Sequence, residues 1–444
     1  MDLSAGIALV VALGVLSQIV AGRLHLPSIL VLLAAGLVIG PVTGVLDPDA
    51  VFGDALFPLV SLGVGLLLFE ESLKLDFRRL HGGARRPVLL LVTVGAVLTG
   101  VGATLACYLV LDLTFLRSAV IGSILIVSGP TVVGPLLKVI RPKEPLGSVL
   151  AFEGIFIDPI GATIALIVAN IALHEEPPRL FQTGFTGIWV GVLAALLYIV
   201  LVRWGRLPAG TEVVLAIALA MLTYSGAEAV HEEAGLFATV AMGIALANQR
   251  FINIEPLHEF GGHLGMLLVG SLFILLSARV EVGALQEFLL PALAITALLV
   301  LVLRPAVAGL STFGTNLTGH ERAMVGWMAP RGIVAASTAS VFAIEFEKAG
   351  EPFPEVVPVV FAIILLTAIV YGLSGPFVAK GLGVRAEEPE VLDDDGVPVS
   401  VPGESTARRS LGAIRDAHAR RRARQTGTIP RVQDDGPDPG APGR

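Results

Sequence analysis

The chain has 444 residues, of which 54% are hydrophobic and only 15% carry a charge. Soluble domains are usually about 25% charged, so this composition excludes an ordinary soluble globular protein. The formal net charge of −7 shows no basic excess, and we expect no nucleic-acid partner. The one cysteine, Cys107, lies in an apolar run and cannot form an intramolecular disulfide.

The apolar residues occur in runs of about 20, the length of a helix that crosses a bilayer. They predict an all-α polytopic membrane protein with thirteen transmembrane helices. No basic segment precedes the first run, unlike in a cleaved signal peptide, so we expect the first helix to remain. In chain order the predicted helices are residues 3–22, 27–46, 55–73, 87–111, 117–139, 147–173, 186–204, 211–228, 235–248, 263–280, 284–303, 322–345 and 356–383.

The lysines and arginines of the predicted loops concentrate in alternate loops, on one side of the membrane. Because positively charged loops stay in the cytoplasm, this side is predicted to be cytoplasmic. The N-terminus is then outside and the C-terminus inside, which requires an odd number of helices. We expect a multi-pass protein of the plasma membrane.

The two halves of the apolar region echo each other in spacing and in motif. Gly129-Pro130 in the fifth helix has a counterpart in Ala329-Pro330 in the twelfth. Inverted repeats of this kind are the architecture of secondary transporters. A coincidence of spacing is the alternative, although the prolines and the charge signs match as well. The predicted transmembrane domain is residues 1–383, with repeats at about 3–173 and 211–383 and a linking helix at 186–204.

The third predicted helix ends in two acids, Glu70 and Glu71, which Lys74 follows. Glu70 is a candidate for an ion site. The alternative is an interfacial position, where Lys74 pairs with both acids at helical spacing.

The fifth helix contains Ser128-Gly129-Pro130-Thr131, and the twelfth contains Pro330 next to Arg331. A proline cannot donate to the carbonyl four residues earlier, so Pro130 leaves the oxygen of Ile126 free. Non-helical backbone survives at membrane depth only where it lines a cavity or is buried in protein. We therefore expect two discontinuous helices that cross, although a simple proline kink would explain either motif alone.

The sixth helix carries Asp158 in the middle of an apolar run, directly before Pro159. A charge at the bilayer centre costs roughly 2.5–3.5 kcal/mol, so such a carboxylate indicates a transport site. With no evident countercharge, Asp158 can hold either a proton or a small cation. Its alternative role is to cap a broken helix.

Glu153 precedes Asp158 by five residues, about 140° around a helix, so the two side chains face different ways. Arg331 is the basic residue that lies deep inside a predicted helix. We therefore expect a buried Glu153–Arg331 ion pair.

Together these motifs resemble the monovalent cation:proton antiporter superfamily, specifically its sodium/proton exchanger branch. The family pattern has an unwound Thr/Ser-Asp/Gly-Pro-Thr stretch, then Glu-Ser-x-x-Asn-Asp, then a late Arg-Gly-Ile/Val. The resemblance implies exchange of Na+ or K+ for H+ at Asp158, assisted by Glu70, Ser128 and Thr131. It also implies a homodimer in which the core moves like an elevator. The sequence places no Ser/His, Cys/His or metal cluster at a suitable depth, so we expect neither enzymatic activity nor a cofactor.

The chain departs from that pattern at two positions: Gly154 replaces the serine, and Ile157 replaces the asparagine. Both replaced groups are polar, so the choice between sodium and potassium stays open. A single free carboxylate favours one-for-one, electroneutral exchange.

Residues 384–444 are polar and rich in proline, glycine and charge, which predicts a cytoplasmic and largely disordered tail. A short helix there could instead contact the anionic inner leaflet.

Two rival functions remain open. One is a sodium-coupled organic-anion symporter on a similar scaffold, with Arg331 binding the carboxylate of the substrate. The other is a channel or membrane sensor that does not turn over.

Overall fold

The computed structural model describes residues 2–24, 26–75, 77, 84–175, 180–205, 208 and 210–386. Within these ranges it describes the backbone alone for Pro130, Thr131, Pro135, Lys138 and Val139. The predicted tail, from residue 387 onward, lies outside the described residues.

Helices make up the regular secondary structure of the described ranges, apart from one isolated β-bridge between Pro142 and Arg385. Short π-helical turns follow three of the helices, at Val38–Val42, Leu91–Gly95 and Leu299–Leu303. In chain order the α-helices are α1 Leu3–Leu24, α2 Ser28–Leu37, α3 Pro48–Phe52, α4 Leu56–Leu73, α5 Arg85–Leu90, α6 Ala96–Val110, α7 Phe115–Ile124, α8 Pro130–Ile140, α9 Leu146–Ala172, α10 Leu180–Trp204, α11 Thr211–Glu228, α12 Ala234–Asn248, α13 Glu255–Ala278, α14 Val282–Leu298, α15 Arg304–Ser311, α16 Gly319–Trp327, α17 Ile333–Lys348 and α18 Val356–Gly381.

By length and apolar composition, nine helical stretches of the described residues can cross a membrane. The protein is therefore a multi-pass membrane protein. Every predicted span overlaps a helix or a pair of helices, but the count of thirteen and the inverted repeat stay predictions. The nine stretches are Leu3–Leu24, Pro48–Leu73, Arg85–Val110, Leu146–Ala172, Leu180–Trp204, Thr211–Glu228, Glu255–Ala278, Val282–Ser311 and Val356–Gly381.

Two of the predicted spans are interrupted. α7 ends at Ile124 and α8 begins at Pro130, while α16 ends at Trp327 and α17 begins at Ile333. The residues between them, 125–129 and 328–332, are not helical. Proline suits the start of α8, because the first amide of a helix has no intrahelical partner in any case.

Small residues let the helices approach closely, as is usual in membrane bundles. On α12, a Cβ added at Gly243 would lie 2.7 Å from the carbonyl oxygen of Phe69 on α4. On α9, a Cβ at Gly161 would lie 2.7 Å from Cγ2 of Val127. At the second contact α9 packs directly against the first helix break. The helix that carries Asp158 therefore lies beside the unwound backbone.

Candidate functional site

The first helix break is stabilised by short-range backbone hydrogen bonds. The amide of Ile126 donates to the carbonyl of Ser123, and that of Val127 donates to Ile124. Beyond the break, the carbonyl of Gly129 accepts from the amides of Val132 and Val133 at 3.1 and 3.2 Å. The carbonyl oxygens inside the break therefore need donors from elsewhere in the protein.

Arg331, in the second break, supplies those donors. Its Nη1 lies 3.3 Å from the carbonyl oxygen of Ile126 and 3.1 Å from that of Val127. The oxygen of Ile126 is the one that Pro130 leaves free. The backbone amide of Arg331 donates to Oγ1 of Thr367 on α18 at 3.3 Å. The Arg331 side chain thus joins the two breaks.

The sequence predicted that Glu153 pairs with Arg331. This prediction is wrong, because Glu153 pairs with Arg304 in the structure. Nη1 of Arg304 lies 2.6 Å from Oε1 of Glu153, and Nη2 lies 2.9 Å from Oε2. Both side chains are buried, and Nε of Arg304 also donates to the carbonyl of Val325 at 2.9 Å. This is the bidentate geometry of a strong guanidinium–carboxylate pair.

The physical reason for the correction is the length of the eleventh predicted helix. The prediction ended that helix at residue 303 and placed Arg304 in a loop. In the structure the helix continues through a π-helical turn to Ser311, so Arg304 lies inside the bundle. The apolar residues that follow Arg304, Val307 and Leu310 among them, are the sequence signal that could have located it.

Asp158 lies halfway along α9 and is completely buried, with 0% of its surface exposed. Neither carboxylate oxygen has a hydrogen-bond partner among the groups that the structure describes. Pro159 interrupts the helical hydrogen bonding here, and its own carbonyl accepts from Oγ1 of Thr163 at 2.8 Å. An unpartnered buried carboxylate is costly unless it carries a proton or a cation.

A small cavity brings several predicted site residues together. Ser128, Glu153, Ile157 and Arg331 all contribute to its wall, as does Arg304. Its volume is about 10 Å³, room for a single water molecule. Ile157 packs against the side chains of Ala96 and Ile126, so an apolar contact takes the place of the amide that the family pattern has there.

Glu70 lies elsewhere, on the last turns of α4. Nζ of Lys74 is 2.7 Å from Oε1 of Glu70 and 2.9 Å from Oε1 of Glu71. The carboxylate of Glu70 also contacts α13, where a Cβ at Gly265 would lie 2.8 Å from its Oε2. That oxygen has no hydrogen-bond partner in the described part of the chain. Lys74 pairs with both acids, as the interfacial alternative has it, but Glu70 is only 3% exposed, and its role in an ion site stays a prediction.

The sequence matches the model of the transmembrane sodium/hydrogen exchanger family over residues 7–381. The chain belongs to this family. The resemblance drawn from the motifs is thereby confirmed, and the family is one of transporters rather than enzymes.

Relatives in the family include exchangers of both cations. The K+/H+ antiporter NhaP of Alkalimonas amylolytica is 24% identical over 89% of this chain and 68% of its own length. The low-affinity Na+/H+ antiporter NhaS1 of Synechocystis is 23% identical over 74% of this chain and 65% of its own length. The chain thus spans about two thirds of the length of these two relatives. The Na+/H+ antiporter 1 of Methanocaldococcus jannaschii is 24% identical over 79% of this chain and 84% of its own.

Among solved structures, the sodium proton antiporter MjNhaP1 of Methanocaldococcus jannaschii has a similar fold. Its TM-score is 0.75 at 22% identity, and the match covers 86% of this chain and 98% of that one. At this identity the likeness concerns the fold.

Proposed function

We propose that the protein exchanges a monovalent cation, Na+ or K+, for H+ by alternating access, with Asp158 as the shared site. The observation that carries the proposal is the fully buried carboxylate of Asp158, both of whose oxygens lack a hydrogen-bond partner among the described groups. Membership of the exchanger family supports it independently.

One carboxylate provides one negative charge, which either a proton or a cation can neutralise. Alkali cations are hard ions that take oxygen ligands, and Asp158 would supply the anionic one. In this proposal the oxygens of Ser128 and Thr131 assist, and Gly129, Pro130 and Pro330 keep the backbone unwound near them. Because cation and proton replace each other at one charge, the exchange is electroneutral.

The two buried arginines have structural roles in this proposal. Glu153 and Arg304 neutralise each other, and Arg331 braces the carbonyls of the first break. Asp158 is then the carboxylate left to bind the transported ions. A homodimer and the predicted orientation, with the N-terminus outside, are part of the same proposal.

The organic-anion symporter receives no support from this geometry or from the relatives. It requires Arg331 to bind a substrate carboxylate, whereas Nη1 of Arg331 already donates to two carbonyls. The cavity beside it, of about 10 Å³, holds one water molecule and no organic acid.

The test is proton flux in proteoliposomes that carry a preset pH gradient, on addition of Na+ or K+. We expect one or both cations to collapse the gradient through the wild type, and Asp158→Asn to abolish the response. Asp112→Asn, the same change at an exposed loop aspartate, is the matched control and should transport normally. Undiminished exchange by Asp158→Asn would overturn the assignment of the site.

Stoichiometry is tested in the same vesicles. With the membrane potential clamped by a potassium ionophore, electroneutral Na+/H+ exchange should proceed at one rate at all potentials. A rate that changes with the potential would refute one-for-one exchange while leaving the site assignment intact.

A further inference from the structure

A short antiparallel clasp joins the C-terminal ends of α8 and α18. It consists of residues 141–143, which follow α8, and residues 384–386, which follow α18. Two backbone hydrogen bonds form it, from the amide of Lys143 to the carbonyl of Val384 at 2.9 Å and from the amide of Ala386 to the carbonyl of Arg141 at 2.7 Å. The clasp thus ties the end of a broken span to the end of the last helix.

The sequence turns the chain back toward α8 at the end of α18. Gly383 has a left-handed backbone conformation, with φ of +66°, which glycine adopts at helix ends without strain. The amides of Gly383 and Val384 then donate to the carbonyls of Lys380 and Ala379, at 3.1 and 3.2 Å. Val384 is 4% exposed and packs in the main hydrophobic core. The glycine turn and the buried valine together fix residues 384–386 beside the end of α8.

Pro142 suits its place in the clasp because that place needs no amide hydrogen. The two hydrogen bonds join the neighbours of Pro142 and Arg385, so these two residues face each other without a hydrogen bond between them. Proline lacks a backbone donor and is tolerated where the ladder uses none. In an antiparallel pair of this kind the two Cα atoms lie about 4.5 Å apart.

Anchoring matters for α8 because the helix is short and begins at the first break. It has 11 residues, and isolated helices of that length are marginal in stability. Its last residue, Ile140, packs against α18, where a Cβ added at Gly375 would lie 3.3 Å from Cδ1 of Ile140. α18 also holds the second break, since Oγ1 of Thr367 accepts a hydrogen bond from the amide of Arg331. One helix therefore contacts both interrupted spans, and the clasp ties it to the first.

We propose that the clasp stays closed throughout the transport cycle and positions α8, and with it the first helix break, against α18. The proposal rests on the proposed exchange function. Residues 384–386 act through α8 and are therefore positioning residues. Because the clasp governs how the two helices move together, its loss should lower the rate of turnover rather than the affinity for the cation.

The first test is Ala386→Pro, which removes the amide that donates to Arg141. We expect the maximal rate of cation-driven proton flux to fall roughly 5-fold, while the KM for the cation changes less than about 2-fold. Ala386→Ser keeps the backbone amide and is the matched control, with wild-type kinetics expected. Equal maximal rates for the two variants would overturn the proposal.

The second test closes the clasp covalently with Pro142→Cys/Arg385→Cys. Facing residues about 4.5 Å apart suit a disulfide, and Cys107 is buried and does not compete. We expect the disulfide to form on oxidation and the oxidised protein to exchange as fast as the reduced one. Exchange that stops on oxidation and returns with dithiothreitol would show that the clasp must open, and would overturn the proposal. So would failure of the disulfide to form.

The two tests combine in a rescue experiment that a misfolded variant could not mimic. In Pro142→Cys/Arg385→Cys/Ala386→Pro the disulfide replaces the lost hydrogen bond, so exchange should be slow when reduced and recover at least about 3-fold when oxidised. Equally slow exchange in both redox states would contradict a positioning role. Absence of exchange by the wild type would instead refute the proposed function, so the two failures are distinguishable.

Discussion

Glu153 and Arg304 form a buried ion pair, in which the stability of each buried charge depends on the presence of the other. Both side chains are withdrawn from solvent, and their two hydrogen bonds, 2.6 and 2.9 Å long, offset the loss of hydration. Removing one member leaves the other as an unpaired buried charge, which costs about 3–5 kcal/mol. Removing both charges together avoids that penalty.

We therefore expect Arg304→Gln to lower the free energy of unfolding by about 3 kcal/mol or more. The double variant Glu153→Gln/Arg304→Gln should be more stable than Arg304→Gln alone. Thermal unfolding in detergent, followed by intrinsic fluorescence, measures both. If the loss of unfolding free energy in the double variant equalled the sum of the losses in Glu153→Gln and Arg304→Gln, the two residues would not be coupled.

Glu233 is an acid whose ionisation makes the stability of the protein depend on pH. It lies in the connection between α11 and α12, and burial, followed by repulsion from Glu228, Glu345 and Glu232, raises its pKa to about 8. Tyr224 on α11 is a further titratable group near it. Because its folded-state pKa lies above the usual 4.5, its contribution to stability is complete below pH 4.5 and is lost as the pH rises through about 8.

As the pH rises through about 8, Glu233 ionises and adds a negative charge to the cavity that it lines with Glu228, Glu232 and Glu345. We expect the free energy of unfolding to fall more steeply between about pH 7 and 9 in the wild type than in Glu233→Gln, because glutamine cannot ionise. Thermal unfolding in detergent measures both profiles, and comparing them removes the contribution of the other titrating groups, which both proteins share. Superimposable profiles would show that the ionisation of Glu233 does not affect stability.

At the level of the helices, the site depends on how α9 contacts the first break. Gly161 lies less than one turn after Asp158, and a Cβ there would approach Cγ2 of Val127 to 2.7 Å and its backbone nitrogen to 3.3 Å. The backbone of the break cannot move away without displacing the carbonyl of Val127, which accepts a hydrogen bond from Arg331. The glycine thus sets the distance between the carboxylate and the unwound backbone.

We expect Gly161→Ala to slow exchange roughly 10-fold, because small displacements of site groups have large effects on rate. Gly226→Ala on α11 is the control, since a Cβ there would have nothing within 4 Å. Initial rates of cation-driven proton flux measure both. Equal rates for the two variants would mean that the contact with Val127 is not critical.

At the level of the whole molecule, the predicted orientation can be tested with engineered cysteines. Cys107 is the chain's single cysteine and is buried, so it contributes no labelling background. We expect a membrane-impermeant maleimide added to intact cells to label Asp112→Cys, between α6 and α7, and not Asn253→Cys, between α12 and α13. The reverse pattern, or labelling of both, would contradict the predicted topology.

Some features of the site could be predicted because they are local in sequence. Asp158 stands out as an acid within an apolar run, and Pro130 and Pro330 mark the breaks without reference to any other helix. The partner of Glu153 could not be predicted in this way. Arg304 and Arg331 lie on different helices, and the choice between them depends on how far α15 extends and on which guanidinium reaches the carbonyls of Ile126 and Val127.

The sequence by itself determined the membrane class, the family and the position of the buried carboxylate, because hydropathy, proline chemistry and motif order act within single segments. Tertiary structure decided the pairing of Glu153 with Arg304, the placement of Glu70 against α13, and the gathering of four glutamates around one cavity. These contacts join residues that are distant along the chain. They depend on how the helices pack, because packing determines both which charges are buried and where small residues allow two helices to approach closely.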